Sequence, residues 1–173
     1  MMYKTNTFQT DKKLAAVCGL FCPSCLIYMA SSGDAEAVRM VEQLFDMKPE
    51  EGYCEGCRSS TRIAYCDTCK MFQCAAEKGL DFCGACPDYP CKDLKAFQSR
   101  APHRIELWPN QTRIREAGYE QWFDEMLAHF ACPECGVINS AYHLACRECG
   151  HTPSCAYVQQ HREEIEAFLE ESA

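Results

Sequence analysis

Cysteine spacing constrains this chain more than any other feature. Six Cys-x2-Cys pairs punctuate it: Cys22/Cys25, Cys54/Cys57, Cys66/Cys69, Cys83/Cys86, Cys132/Cys135 and Cys146/Cys149. Two thiolates two residues apart in a tight turn can face one cation, and two such knuckles complete the tetrahedral four-sulfur set of structural zinc. In all, 16 of 173 residues are cysteine, a density found in disulfide scaffolds and metal proteins. The 47% hydrophobic fraction includes those cysteines. The remaining apolar side chains make a thin core, and thin cores need staples.

Which staple depends on compartment. Residues 1–13 are mostly polar, and the apolar run at 14–30 follows them. Cys18, Cys22, Pro23, Ser24 and Cys25 interrupt that run, which is also short for a membrane span. The order does not fit a secretory leader, and Leu14-Ala15-Ala16-Val17-Cys18 only faintly suggests a lipoprotein cleavage site, because the apolar stretch follows that cysteine instead of preceding it. The expectation is a cytoplasmic protein with no membrane segment, in which the pairs are metal ligands or catalytic dithiols. Net charge is −8, with no basic stripe. Nucleic acid is therefore not an expected partner.

The cysteines cluster unevenly. Eleven lie between Cys18 and Cys91, none falls between Lys92 and Ala131, four fall between Cys132 and Cys149, and Cys155 stands alone. The gap reads as a helical connector. This predicts a small, metal-stapled α+β protein with a cysteine-rich zinc-binding domain at 14–98, a helical connector at 99–130, and a zinc ribbon with a terminal helix at 131–173. Asp34 is an N-cap for a helix through Phe45, with Val38, Val41, Leu44 and Phe45 on one face and Pro49 as its stop. Short helices are expected at 70–78, closed by Gly79, and at 92–98. A helix from Thr112 breaks at Gly118. The next, at 119–130, carries an apolar stripe of Trp122, Phe123, Met126, Leu127 and Phe130. The last, at 158–170, turns Ile165, Phe168 and Leu169 inward and its glutamates toward solvent.

The clearest constellation is Cys132-Pro133-Glu134-Cys135-Gly136 followed by Cys146-Arg147-Glu148-Cys149-Gly150. The glycine after each pair permits the positive φ that turns backbone amides toward the sulfurs. Four thiolates leave no open coordination position, so this site reads as structural rather than catalytic. In the middle region, Cys54, Cys57, Cys66, Cys69, Cys74, Cys83, Cys86 and Cys91 supply ligands for two four-sulfur sites. Sequential and crossed pairings both fit the spacing. Cys18, Cys22 and Cys25 form a trio without an obvious fourth ligand. They could take a distant one such as Cys155, or act as a redox dithiol at a helix start. The spacing also matches the cluster loop of radical enzymes that use S-adenosylmethionine, but the chain lacks the length and the glycine-rich strand those need.

Several motifs together resemble the domain-of-unknown-function family numbered 3795. They are Cys18-Gly19-Leu20 with Cys22, Cys25 and Tyr28; Cys54-Glu55-Gly56-Cys57-Arg58; Cys74-Ala75-Ala76-Glu77-Lys78-Gly79; and Phe82-Cys83-Gly84-Ala85-Cys86-Pro87 leading to Tyr89-Pro90-Cys91. The resemblance covers roughly residues 14–98. It implies a small bacterial or archaeal cytosolic protein that binds zinc, and it supplies no reaction.

The remaining features favour plain readings. His143 and His151 flank the last cysteine group, where four cysteines already suffice. Trp108, Trp122 and Phe123 fit core packing better than a partner groove. The helices around Gly118 carry too many acids to face phosphate. No serine–histidine–acid triad, phosphate loop or dinucleotide fingerprint is present. The sequence thus points to a protein with two to four Zn2+ per chain, working as a non-enzymatic interaction or adaptor module with a protein partner. Redox or metal-handling chemistry at Cys18, Cys22 and Cys25, or an iron–sulfur cluster, is the alternative.

Overall fold

The computed structural model describes residues 8–48, 54–98 and 101–172. Among them the regular structure is helical: α1 Leu26–Ser31, α2 Ala35–Phe45, α3 Ala64–Asp67, α4 Lys70–Glu77, α5 Lys92–Gln98, α6 Leu107–Ala117, α7 Tyr119–Phe130, α8 Ala156–Gln160 and α9 Arg162–Glu171. The expected α+β character appears only in its helical part. Pairing between extended segments is limited to two isolated bridges, Ala15↔Phe21 and Ala131↔Ile138. Each closes a tight turn next to cysteines: the Ala16 amide donates to Leu20 O at 3.0 Å inside the first, and the Cys132 amide to Val137 O at 2.9 Å inside the second.

Most helix boundaries follow local chemistry. Asp34 caps α2 by accepting the Ala37 amide at 2.9 Å. That helix ends at Asp46, in the left-handed region with φ 49°. Pro49, the expected stop, lies outside the described residues. Val41 is buried and Leu44 packs against the core, but Phe45 stays 37% exposed, edge-on to the Tyr142 ring. Helix α6 begins at Leu107, five residues before the Thr112 start expected from the sequence, and takes Pro109 into its first turn. Proline is tolerated there because first-turn amides have no intrahelical acceptor in any case. Gly118, at φ 84°, separates α6 from α7 as expected. The terminal stretch divides into α8 and α9 at His161, whose Nε2 pairs with Glu106 at 2.7 Å.

The main core draws on residues from the first cysteine loop to the last helix. Phe21, from the turn between Cys18 and Cys22, meets Trp122, Phe123 and Phe130 at ring distances of 6.0, 5.0 and 5.8 Å. Phe130 stacks in turn on Tyr157 of α8 at 4.6 Å. Of the apolar stripe expected on α7, Trp122, Phe123, Met126 and Phe130 are buried, while Leu127 is half-buried against the core. One continuous buried cluster reaches from Leu14 to Ile165. The α6–α7 hairpin is its spine, and the cysteine loops pack around it.

Candidate metal centre

The local turns that bring Cys132, Cys135, Cys146 and Cys149 together are fixed by backbone hydrogen bonds. The Cys132 amide donates to Val137 O at 2.9 Å and the Gly136 amide to Cys132 O at 2.9 Å. In the second knuckle, the Cys146 amide donates to His151 O and the Gly150 amide to Cys146 O, both at 2.8 Å. Gly136 and Gly150 each adopt φ 74°, where a side chain is strained. The turns place Cys132 Sγ 3.6 Å from Cys149 Sγ, and Cys135 Sγ 3.6 Å from Cys146 Sγ. All four sulfurs lie within 4.8 Å of one another. A tetrahedral ion with bonds of 2.3 Å requires sulfur–sulfur spacings of about 3.8 Å, so the set fits a metal ion.

The surroundings of these thiols suit a cation. Burial pushes the Cys146 thiol up, but the amides of Cys149 and Glu148 and the Asn139 side chain outweigh it and bring it down to about 6. Burial, with the crowding of neighbouring thiols, raises Cys132 and Cys135. A divalent ion would offset that burial by favouring the thiolate forms.

A fully buried residue that the sequence reading passed over, Asn139, organises the second knuckle. Its Nδ2 donates to Val137 O at 3.1 Å, Ser154 O at 3.2 Å and Cys146 Sγ at 3.6 Å, while Oδ1 accepts the Arg147 amide at 3.1 Å. Arg147 then pairs with Asp34, tying the knuckle to the start of α2. His143 lies outside the sulfur set: its Nδ1 accepts the Ser140 amide at 3.1 Å. Cys155 is buried at the start of α8 and receives the Ser154 hydroxyl at 3.6 Å.

The eleven N-terminal thiols are arranged differently. Among the described residues, no group of them has all its sulfurs within 4.8 Å. They nevertheless converge. The Cys54 amide donates to Ser31 Oγ at 2.8 Å, and Arg58 Nε to Ala15 O at 3.0 Å, which seats the Cys54/Cys57 knuckle beside the first cysteines. The Cys57 amide points at Cys22 Sγ, and the Val17 amide at Cys57 Sγ. Cys25 has Cys54 and Cys66 as electrostatic neighbours. Burial, followed by these neighbouring sulfurs, holds Cys18 and Cys22 far above the ordinary thiol range and pushes Cys66 to about 12. Cys74, Cys83, Cys86 and Cys91 line one cavity of about 320 Å³. There Lys78 Nζ donates to Cys86 Sγ at 3.2 Å and to Asp88 at 3.0 Å.

The connector clamps these loops. Gln111 of α6, fully buried, donates to Val17 O at 2.9 Å and accepts the Gly84 amide at 2.6 Å. Its neighbour Asn110 donates to Gly19 O at 3.0 Å. A Cβ on Gly84 would stand 2.9 Å from Gln111 O, so only glycine permits this approach. Both side chains are polar positions on a partly apolar helix, and sequence alone does not distinguish them from solvent-facing residues.

Fold and site together define a helical, cysteine-rich protein with, among the described residues, one preassembled four-sulfur group that can hold a metal ion. Residues 14–96 match the family model described as Protein of unknown function (DUF3795), the family that the motifs of this segment resemble. The Cys132–Cys149 group lies beyond the matched segment. Comparison with curated proteins and with solved structures finds no match. No described helix is long and apolar enough to cross a membrane.

Proposed function

We propose that this chain is a cytoplasmic zinc-binding protein that acts as a non-enzymatic interaction module. In this reading a cysteine-rich unit at 14–98 and a zinc-ribbon unit at 131–173 are joined by the helical connector. The observation that carries it is the Cys132, Cys135, Cys146 and Cys149 set, with four sulfurs inside 4.8 Å and amide donors aimed at them. Four thiolates saturate a tetrahedral ion, so zinc there would serve folding rather than catalysis. The N-terminal cysteines from Cys18 to Cys91 are read as further ligands. A redox role for Cys18, Cys22 and Cys25 fits less well, because burial and neighbouring sulfurs oppose the low thiol pKa such chemistry needs. The partner is read as a protein: charge −8 disfavours nucleic acid, and Tyr65 at 59% exposure offers an aromatic contact.

Anaerobic purification with metal counting and a visible spectrum tests this reading. Colourless protein with zinc at the C-terminal group and in the N-terminal unit is the expected result. Brown protein containing iron and sulfide would replace it with an iron–sulfur reading. N-terminal thiols that all react rapidly with iodoacetamide would favour the redox alternative.

A further inference from the structure

In the C-terminal group Cys149 is exposed, while its companions Cys132, Cys135 and Cys146 are buried, at 2%, 7% and 4% exposure. Cys149 Sγ stands 3.6 Å from Cys132 Sγ, and the sulfurs of Cys135 and Cys146 are also 3.6 Å apart. The four thiols thus form two close pairs, one of which reaches solvent. Cys74 and Cys91 are exposed too, but among the described residues no three N-terminal sulfurs lie within 4.8 Å of one another.

We propose that the C-terminal group is a reversible, oxidant-triggered zinc-release site. A peroxide enters at Cys149, and two disulfides, Cys132–Cys149 and Cys135–Cys146, take the place of the ion. This rests on the reading of that group as a zinc site.

The chemistry uses two peroxides. The Cys149 thiolate attacks one peroxide oxygen, the O–O bond breaks, and hydroxide leaves. The sulfur, oxidised by two electrons, becomes a sulfenic acid. The Cys132 thiolate then attacks that sulfur, the S–O bond breaks, a second hydroxide leaves, and the first disulfide closes. Going from 3.6 Å to a sulfur–sulfur bond of about 2.0 Å takes a small rotation of the two side chains. The thiolate is the metal ligand, so the ion is left with Cys135 and Cys146 alone and its hold is broken. A second peroxide repeats the steps on that pair. In sum, four thiolates and two peroxides give two disulfides, four hydroxides and a free zinc ion.

Pairing decides the consequence. Both pairs cross from one knuckle to the other, so the disulfides replace the ion as the link between them. Pairing inside the knuckles, Cys132 with Cys135 and Cys146 with Cys149, would leave them unconnected. Cys146 is engaged elsewhere, by Asn139 Nδ2 and by Cys135 Sγ, which leaves Cys132 to meet Cys149. The backbone bonds that shape the turns, from the Gly136 amide to Cys132 O and from the Gly150 amide to Cys146 O, do not involve sulfur. The Arg147–Asp34 pair does not involve sulfur either. The oxidised end therefore keeps its fold, and a thiol reductant with zinc restores the starting state.

The test adds hydrogen peroxide in small steps to the full chain, loaded with zinc anaerobically. A chromogenic chelator follows released zinc, peptide mapping locates the disulfides, and near-UV circular dichroism follows the fold. The expected result is one zinc released for roughly two peroxides consumed, with Cys132–Cys149 formed before Cys135–Cys146 and the dichroism retained. Dithiothreitol followed by zinc should return the ion. Disulfides within the knuckles, or loss of dichroism on oxidation, would overturn the proposal. So would zinc that stays bound at this group while N-terminal thiols consume the peroxide. Cys149→His keeps a side chain that ligates zinc but cannot form a disulfide, and it should slow release about tenfold or more. Release at the wild-type rate would remove Cys149 as the point of entry. The wild-type map decides the pairing whether or not the variant takes up zinc. Absence of zinc from this group before any peroxide is added overturns the zinc reading itself, a result distinct from zinc that is bound and not released.

Discussion

Gln111 shows how one side chain can join two loops that are far apart in sequence. It satisfies the Val17 carbonyl and the Gly84 amide at once, fully buried between them. A buried polar group left without its partner costs about 1–3 kcal/mol. Gln111→Leu strands both, so destabilisation of about 2–4 kcal/mol is expected in denaturant unfolding of the metal-loaded protein. An unchanged midpoint would show that water replaces the side chain. Asn139 plays the matching part for the C-terminal knuckle, holding Val137, Ser154 and Arg147 together next to the Cys146 sulfur. Neither residue stands out in the sequence, because an amide side chain on a helix or in a turn looks the same whether it clamps a core or faces solvent.

Between elements, polar contacts decide how the helices and knuckles are joined. Asp34 caps α2 with one oxygen and pairs with Arg147 through the other, in a setting where both side chains are mostly shielded from solvent. A double-mutant cycle of Asp34→Ala with Arg147→Met should return a coupling of about 1–3 kcal/mol, and a coupling near zero would mean the two segments are docked by packing alone. His103 joins Arg104 to Tyr142: Arg104 Nε donates to Nε2 at 3.2 Å, leaving Nδ1 to meet the Tyr142 hydroxyl. Burial and the Arg104 guanidinium depress His103 to about 3. The unfolded chain takes up that proton near pH 6.5, so the stabilisation is complete above 6.5 and lost as pH falls toward 3. Below 6.5 the stability advantage of wild type over His103→Asn should shrink by about 1.4 kcal/mol per pH unit. Parallel pH profiles for the two would remove His103 from the account. The capping role of Asp34 is legible in sequence, since it depends only on the next three residues. Its second role and the neutral state of His103 are not, because both depend on partners tens of residues away.

Among the described residues one large buried cluster reaches from Leu14 to Ile165, and Cys132, Cys135, Val137 and Cys146 form a small second one around the four-sulfur group. Such continuity predicts a single cooperative unfolding transition, with fluorescence and near-UV circular dichroism changing together. A structural zinc site contributes about 10–16 kcal/mol of apparent binding energy, more than the net stability of most domains. Strong chelation under reducing conditions should therefore unfold the chain, and near-UV circular dichroism retained in metal-free protein would contradict that expectation.

The sequence by itself determined the cysteine knuckles, the four-sulfur group at Cys132 to Cys149, most helix positions and the apolar stripe of α7. Each is local: a tight turn, a cap or a helical period is set by residues a few positions apart. Only the tertiary structure decided that extended pairing shrinks to two bridges, that α6 begins at Leu107, and that α8 and α9 part at His161. It also decided that Cys18, Cys22 and Cys25 lie against the later N-terminal cysteines rather than alone. Those outcomes follow from Phe21 seeking the α6–α7 hairpin and from Gln111 finding two loops to bridge. Such contacts between distant residues leave no periodic trace in the chain.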